Sequence, residues 1–220
     1  MKLKKYFDSS WYEFSVKKIK DLGLTNNHLI FDVGAGNCLL KNKITEIGSH
    51  WKGFDVKPRS EEVIEWDLKD PIPDKLNRKP DCILLLEVIE HLLNPEIGIK
   101  NLSEAAKKGT YLIITTPNPY WSVVRIKFLV FGIFPMFEKS DLENNHHVYT
   151  AWPHVLEYLL VKNEFEIIDS YTIGTRAKFP LFNFKPSYLI KFIFYFLRKI
   201  VEKSDIKAKG MSYGVIAIKR

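Results

Sequence analysis

Short apolar or β-branched runs recur along this chain with amphipathic stretches between them, and that alternation limits the available architectures more than any single residue does. The runs are HLIFDV at 28–33, WKGFDV at 51–56, EVIEW at 62–66, CILLLE at 82–87 and TYLIITT at 110–116. Helical patterns intervene at about 10–22, 37–47, 89–106 and 151–162. Strands that are apolar at nearly every position must be covered on both faces, and crossover helices supply that cover. The expectation is an α/β fold with a mostly parallel sheet. EFEIIDSYTI at 164–173 reads as a sixth strand and SYGVIAIKR at 212–220 as the closing one.

With 220 residues, 46% of them hydrophobic, the chain suffices for one well-buried domain, whereas two would each be small. Lys and Arg number 33 against 26 Asp and Glu, a net charge of +7 that favours anionic partners: phosphates, nucleic acid or acidic lipid surfaces. Only Cys38 and Cys82 are present, without a C-x-x-C pair, which excludes a disulfide framework and a thiolate zinc site and fits a reducing cytoplasm. The N-terminal MKLKKYFDSSWYEF is basic but lacks the apolar core and cleavage site of a secretory signal. FLVFGIFPMF at 128–137 falls well short of the roughly 18 residues that a membrane-spanning helix needs.

In LIFDVGAGNCL a strand runs straight into Gly34-Ala35-Gly36 and then a helix. A glycine turn at a strand's C-terminal end lets backbone approach a ligand closely, and the next helix offers free N–H groups. Asp55 ends the second strand nineteen positions beyond Gly36, the usual place for an acid that binds ribose hydroxyls. Asp67, after the third strand, can accept from an exocyclic amine. A nicotinamide-binding protein is the competing reading, but its fingerprint wants G-x-G-x-x-G, and Leu39 stands where the third glycine would be.

EVIEHLLNP at 87–95 sets Glu87, Glu90 and His91 at i, i+3 and i+4, where the CILLL run ends. On an α-helix these positions share a face, so the side chains can converge on one cation. The same residues also suit an ordinary exposed helix start, because Glu favours a helix N-terminus.

Taken together, IFDVGAGNC, GFD, WDL, DCILLLEVIEHL and YLIITTPNPYW resemble, in order, the motifs of class I S-adenosylmethionine-dependent methyltransferases. The resemblance covers nearly the whole chain. It implies one Rossmann-like domain, a seven-stranded sheet with an antiparallel last strand, and apolar lid insertions at about 119–145 and 174–210. It further implies that Asp32, Gly34, Ala35, Gly36, Asp55, Asp67, Leu68 and Glu87 hold the cofactor. Cys38 departs from the pattern, since relatives usually carry a third glycine there.

Within that family EVIEHL is similar to two branches, the ubiquinone-biosynthesis O-methyltransferases and the small-RNA 2′-O-methyltransferases. The second implies a divalent ion held by Glu87, Glu90, His91 and a downstream histidine, for which His147 in NNHHVYTAWPH is the candidate and His146 the weaker one. Two carboxylates and two imidazoles suit Mg²⁺, Mn²⁺, Fe²⁺ or Zn²⁺. NPYW at 118–121 resembles the N-P-P-Y loop of adenine amino-methyltransferases, but it follows the fifth strand where that loop follows the fourth.

The basic aromatic stretches WSVVRIKFLVFGIFPMF at 121–137 and YLIKFIFYFLRKI at 188–200 suit burial against the sheet, a bilayer surface, or RNA stacking. The function expected is O-methylation of a small or lipid-linked acceptor in the cytoplasm, with peripheral contact to the inner face of the membrane. RNA 2′-O-methylation is the first alternative and a non-enzymatic membrane-surface or assembly protein of the same fold the second.

Overall fold

The computed structural model describes residues 3–7, 10–73, 78–174, 179–180 and 187–220. Its centre is the CILLL run, which forms β5 (Cys82–Leu86) and is buried at every position. Alternate residues of a strand point to opposite faces, so this one strand feeds two cores. Ile83 and Leu85 join Phe31, Val33, Ile99, Leu102, Leu156 and Leu160 on one face. Cys82 and Leu84 join Phe14, Ile19, Ile30, Leu40 and Ile44 on the other. The helices supplying these layers are α1 (Trp11–Asp21), α2 (Lys41–Glu46), α3 (Pro95–Ala105) and α6 (Pro153–Lys162).

Around β5 the remaining runs become β2 (Leu29–Val33), β3 (His50–Asp55), β4 (Val63–Glu65), β6 (Tyr111–Pro117), β7 (Phe165–Gly174) and β8 (Ser212–Lys219). With β1 (Leu3–Phe7) the sheet order is β1-β7-β8-β6-β5-β2-β3-β4. The last strand, β8, is antiparallel to both neighbours, and every other pairing is parallel. The seven expected strands are therefore present and β1 is an addition, pairing with the edge of β7 through the register Lys4↔Tyr171. Its basic LKKYF has no apolar signature; the ladder and a 2.6 Å ion pair from Lys4 to Asp169 hold it.

Two helices depart from expectation. The pattern over 37–47 yields a turn and then the shorter α2, because Cys38 takes a left-handed conformation with φ +56°. The pattern over 89–106 is broken: residues Ile89–His91 form one 3₁₀ turn and α3 begins only at Pro95. A proline disfavours helical backbone in the residue before it, and Asn94 is accordingly non-helical at φ −132°, its side chain accepting the Ile97 N–H.

Of the two stretches expected to be insertions, the first contains α4 (Ser122–Phe131) and α5 (Lys139–Asn145). The second contains α7 (Ser187–Ser204), while its residues 175–178 and 181–186 and the Tyr188 side chain lie outside the described residues. Among the described residues no helix is long and apolar enough to cross a membrane.

Candidate functional site

At the end of β2 the chain must turn away from the sheet while staying close to its neighbours. Gly34 does so at φ +82°, and a β-carbon there would lie 2.3 Å from Val88 Cγ2, so the turns after β2 and β5 can meet only if this residue is glycine. The N–H groups of Gly34 and Ala35 both donate to the Phe54 carbonyl, at 2.8 and 2.9 Å, which ties the turn to the end of β3. Asp55 follows directly. Its Oδ2 accepts the Gly36 N–H at 2.9 Å and its Oδ1 accepts the Lys57 N–H at 2.9 Å.

These strand ends enclose a cavity of about 570 Å³, within the usual range for small-molecule sites. Of the residues singled out in the sequence, Gly34, Asp55, Asp67, Leu68, Glu87 and His91 line it. Asp32, Ala35 and Gly36 do not line it, and neither does Cys38. Asp32 lies beneath the turn, 4% exposed, with Oδ2 accepting from Trp51 Nε1 at 3.0 Å; burial pushes its carboxyl up to about 6. Asp67 accepts the Lys69 N–H at 3.0 Å and pairs with its ammonium at 2.9 Å, contacts that hold its carboxyl below the usual range. Sequence reasoning passed over the apolar walls, among them Val56 and Leu93. Val56 ends the WKGFDV run and Leu93 falls within the 89–106 pattern, but both lie beyond the elements that formed there and stand 52% and 91% exposed.

Glu87 sits at the C-terminal tip of β5 with φ +53°, a conformation that costs a non-glycine residue about 1–3 kcal/mol and concentrates at functional sites. Its Oε1 is out of solvent without a hydrogen-bond partner among the described residues, and desolvation pushes the carboxyl above its usual range. Glu90 is 1% exposed and accepts from Thr116 Oγ1 at 3.1 Å. Burial, and then the charge of Glu87, pushes its carboxyl up as well.

The downstream histidine reaches this turn through backbone hydrogen bonds. The N–H groups of Val148 and Tyr149 both donate to the Glu90 carbonyl, at 2.9 and 3.0 Å, and the rings of His91 and His147 stand 5.0 Å apart. One ligand atom each from Glu90, His91 and His147 lies within 4.8 Å of the others. Glu87, the fourth residue of the expected set, is not among these three, and the α-helix that would have put it on their face is absent. His146 caps α5 at φ +56° and contributes its carbonyl, not its ring. His91 Nδ1 donates to that carbonyl at 3.2 Å and His147 Nδ1 to the Met136 carbonyl at 2.6 Å, which leaves each Nε2 lone pair free to bind a proton or a cation. Burial lowers the pKa of His91, favouring the neutral ring.

A line of aromatic rings leads from His147 to a second cavity of about 520 Å³. Phe137 stands 5.7 Å from His147, Phe134 5.6 Å from Phe137, and Trp152 6.2 Å from Phe134. Phe134 and Trp152 line that cavity with Tyr120, Val124, Arg125 and Phe128. Asn118 of NPYW is occupied structurally. It is 1% exposed, donating to the carbonyls of Lys207 and Gly210 at 2.9 and 3.0 Å and accepting the Tyr120 N–H at 3.0 Å.

A family model described as a methyltransferase domain matches residues 16–170. The chain is 29% identical over 103 residues to a protein named ubiquinone biosynthesis O-methyltransferase from Pelagibacter ubique, and 28% identical over 102 residues to one of the same name from Maricaulis maris. The matched segments span 42% and 40% of this chain and 43% and 40% of those relatives. Among solved structures, a SAM-dependent methyltransferase from Archaeoglobus fulgidus aligns with a TM-score of 0.61 at 19% identity, covering 97% of this chain and 96% of that one. Magnesium protoporphyrin IX methyltransferase from Synechocystis with bound SAH aligns with a TM-score of 0.59 at 16% identity, covering 95% of this chain and 82% of that one; likeness at this level concerns the fold.

Proposed function

The chain belongs to the methyltransferase-domain family, with the class I S-adenosylmethionine-dependent fold, and from that premise we propose that it transfers a methyl group to a hydroxyl oxygen of a small or lipid-linked acceptor. The observation that carries this reading is His91, which belongs at once to the wall of the first cavity and to the Glu90–His91–His147 cluster.

The residues present fit the cofactor. Gly34 leaves a cradle that a β-carbon would fill, and Glu87 Oε1 is an acceptor without a partner. Asp55 and Glu87 bring carboxyl oxygens to the cavity wall, acceptors for a ligand carrying hydroxyls and an ammonium, while Asp67 there is paired with Lys69. When bound, S-adenosylmethionine supplies an electrophilic methyl group that needs no further activation.

What this chain must add is placement, exclusion of water and a destination for the acceptor's proton. Asp55 is oriented by two backbone donors and keeps lone pairs for ribose hydroxyls; Asp67 and Leu68 are assigned to the adenine edge. Nε2 of His91, whose ring burial keeps neutral, accepts the hydroxyl proton, and His147 and Glu90 stand beside it to orient the acceptor. The same three residues would hold a divalent cation, whose chemistry is to acidify a bound hydroxyl; oxygen and imidazole donors together suit Mg²⁺, Mn²⁺, Fe²⁺ or Zn²⁺.

Calorimetry with S-adenosylhomocysteine tests the cofactor half. Binding is expected, and Asp55→Ala should weaken it by about 10- to 100-fold, the loss of hydrogen bonds to a charged group. No binding by the native chain defeats the reading. Screening acceptors with tritiated cofactor, alongside metal analysis, tests the other half. It fails if Glu90→Ala and His147→Ala leave both turnover and metal content unchanged.

A further inference from the structure

α7 presents aromatic or apolar residues on two sides. Toward the rest of the protein, Phe192 and Tyr195 meet Phe179 at 5.9 and 5.2 Å between ring centroids, and Arg198 lies 5.6 Å over Trp121. On the other side Leu189, Ile190, Ile193, Phe196, Leu197 and Ile200 are 40–71% exposed. Their spacing of i, i+1, i+4, i+7, i+8 and i+11 makes a single stripe along the helix. A contiguous apolar stripe facing outward marks an interaction surface.

The charge beside the stripe has one sign. Lys199 and Lys203 are exposed, whereas Glu202, the one acid of α7, accepts from Arg198 Nε at 2.9 Å and from Ser122 at 2.8 Å. α4 packs against α7 through that Ser122 contact, and Arg125 pairs with Asp205 just beyond the end of α7 at 2.6 Å. The last turn of α4 is Phe128-Leu129-Val130-Phe131, four consecutive apolar residues that are 57–86% exposed.

We propose that α7, together with the end of α4, docks the protein on an anionic bilayer surface. A helix with one apolar stripe, flanking lysines and too little apolar length to span fits the headgroup region, where the stripe enters the acyl boundary and the lysines meet anionic headgroups. A second copy of this chain fits the same face less well, since a two-fold contact would oppose the lysines of one α7 to those of the other. Docking also serves the second cavity. Phe128 is both 58% exposed and part of its wall, so a lipid-tailed acceptor could pass from the bilayer into the aromatic cavity, which the Phe134 and Phe137 rings connect to His147. That last step rests on the methyl-transfer reading; the docking does not.

Co-sedimentation of the full chain with vesicles tests the proposal. Binding is expected to phosphatidylcholine vesicles containing phosphatidylglycerol, to weaken with added salt, and to be at least about tenfold weaker on phosphatidylcholine alone. Ile193→Asp combined with Ile200→Asp should lower binding by about tenfold or more, and Lys199→Ala or Lys203→Ala by roughly fivefold each. Calorimetry with S-adenosylhomocysteine should be unchanged in all of these variants, which separates loss of docking from loss of fold or of cofactor. The proposal is overturned by no binding to the anionic vesicles, by equal binding to both kinds, or by variants that bind as the parent does. It is equally overturned if light scattering finds a native dimer that the Ile193→Asp, Ile200→Asp variant converts to monomer.

Discussion

Asp32 carries a carboxyl that the fold buries beneath the glycine turn, and its chemistry belongs to stability more than to the cavity. Its unfolded value is 3.8 and its folded value about 6, because burial disfavours the charged form. Between those values the folded chain keeps a proton that the unfolded chain has released. Stability from this residue is therefore fully present below the lower value and is lost as pH rises through about 6, by about 3 kcal/mol for a shift of this size. Asp32→Asn keeps an acceptor for Trp51 Nε1 and removes the titration. Urea unfolding should show the variant gaining on the native chain by up to about 3 kcal/mol from acid to neutral pH; a difference independent of pH would refute the assignment. Two neighbouring residues accept strain of another kind. Cys38 at φ +56° and Glu87 at φ +53° take conformations that glycine adopts freely, which explains why a glycine would sit comfortably at position 38. At Glu87 the strained backbone instead places a carboxylate in the wall of the cavity.

Elements rather than residues decide how the two ends of the sheet divide their work. The cofactor candidates lie at the ends of β2, β3 and β5, while β1 occupies the opposite edge with β7, β8 and β6 between. β1 covers the free edge of β7, and an uncovered edge strand invites pairing with other chains. Deleting residues 1–9 should lower the thermal midpoint and cause concentration-dependent aggregation, yet leave S-adenosylhomocysteine affinity within about twofold of the native value, since no described residue of this segment lines the cavity. A large loss of affinity would mean that the sheet transmits strain from edge to centre. At the cavity end, the interruption of the expected helix after β5 matters most. The 3₁₀ turn at Ile89–His91 leaves the Glu90 carbonyl free to accept from Val148 and Tyr149, and an uninterrupted α-helix would have used that carbonyl internally.

For the whole molecule, a ligand that binds only the folded chain adds to its stability by mass action. At a hundredfold excess over its dissociation constant, S-adenosylhomocysteine should contribute about 2.7 kcal/mol and raise the thermal midpoint by about 5–10 °C for a chain of this size. Gly34→Ala should abolish that rise, because its β-carbon would collide with Val88. Scanning fluorimetry reads both, and an equal shift in the two proteins would dissociate the glycine turn from the cofactor. At this scale the sequence alone determined the seven strands, the two-faced burial of β2 and β5, and the glycine turn with Asp55 beside it. Those features depend on how a short stretch partitions between core and solvent, or on the backbone angles one residue permits, and both are written locally. Tertiary structure alone decided that Glu87 stands apart from Glu90, His91 and His147, that the basic LKKYF becomes an edge strand, and that the stripe on α7 faces outward. Each of these rests on partners far along the chain, a carbonyl, a strand edge or a covering helix, and side-chain periodicity carries no record of which distant group will meet it.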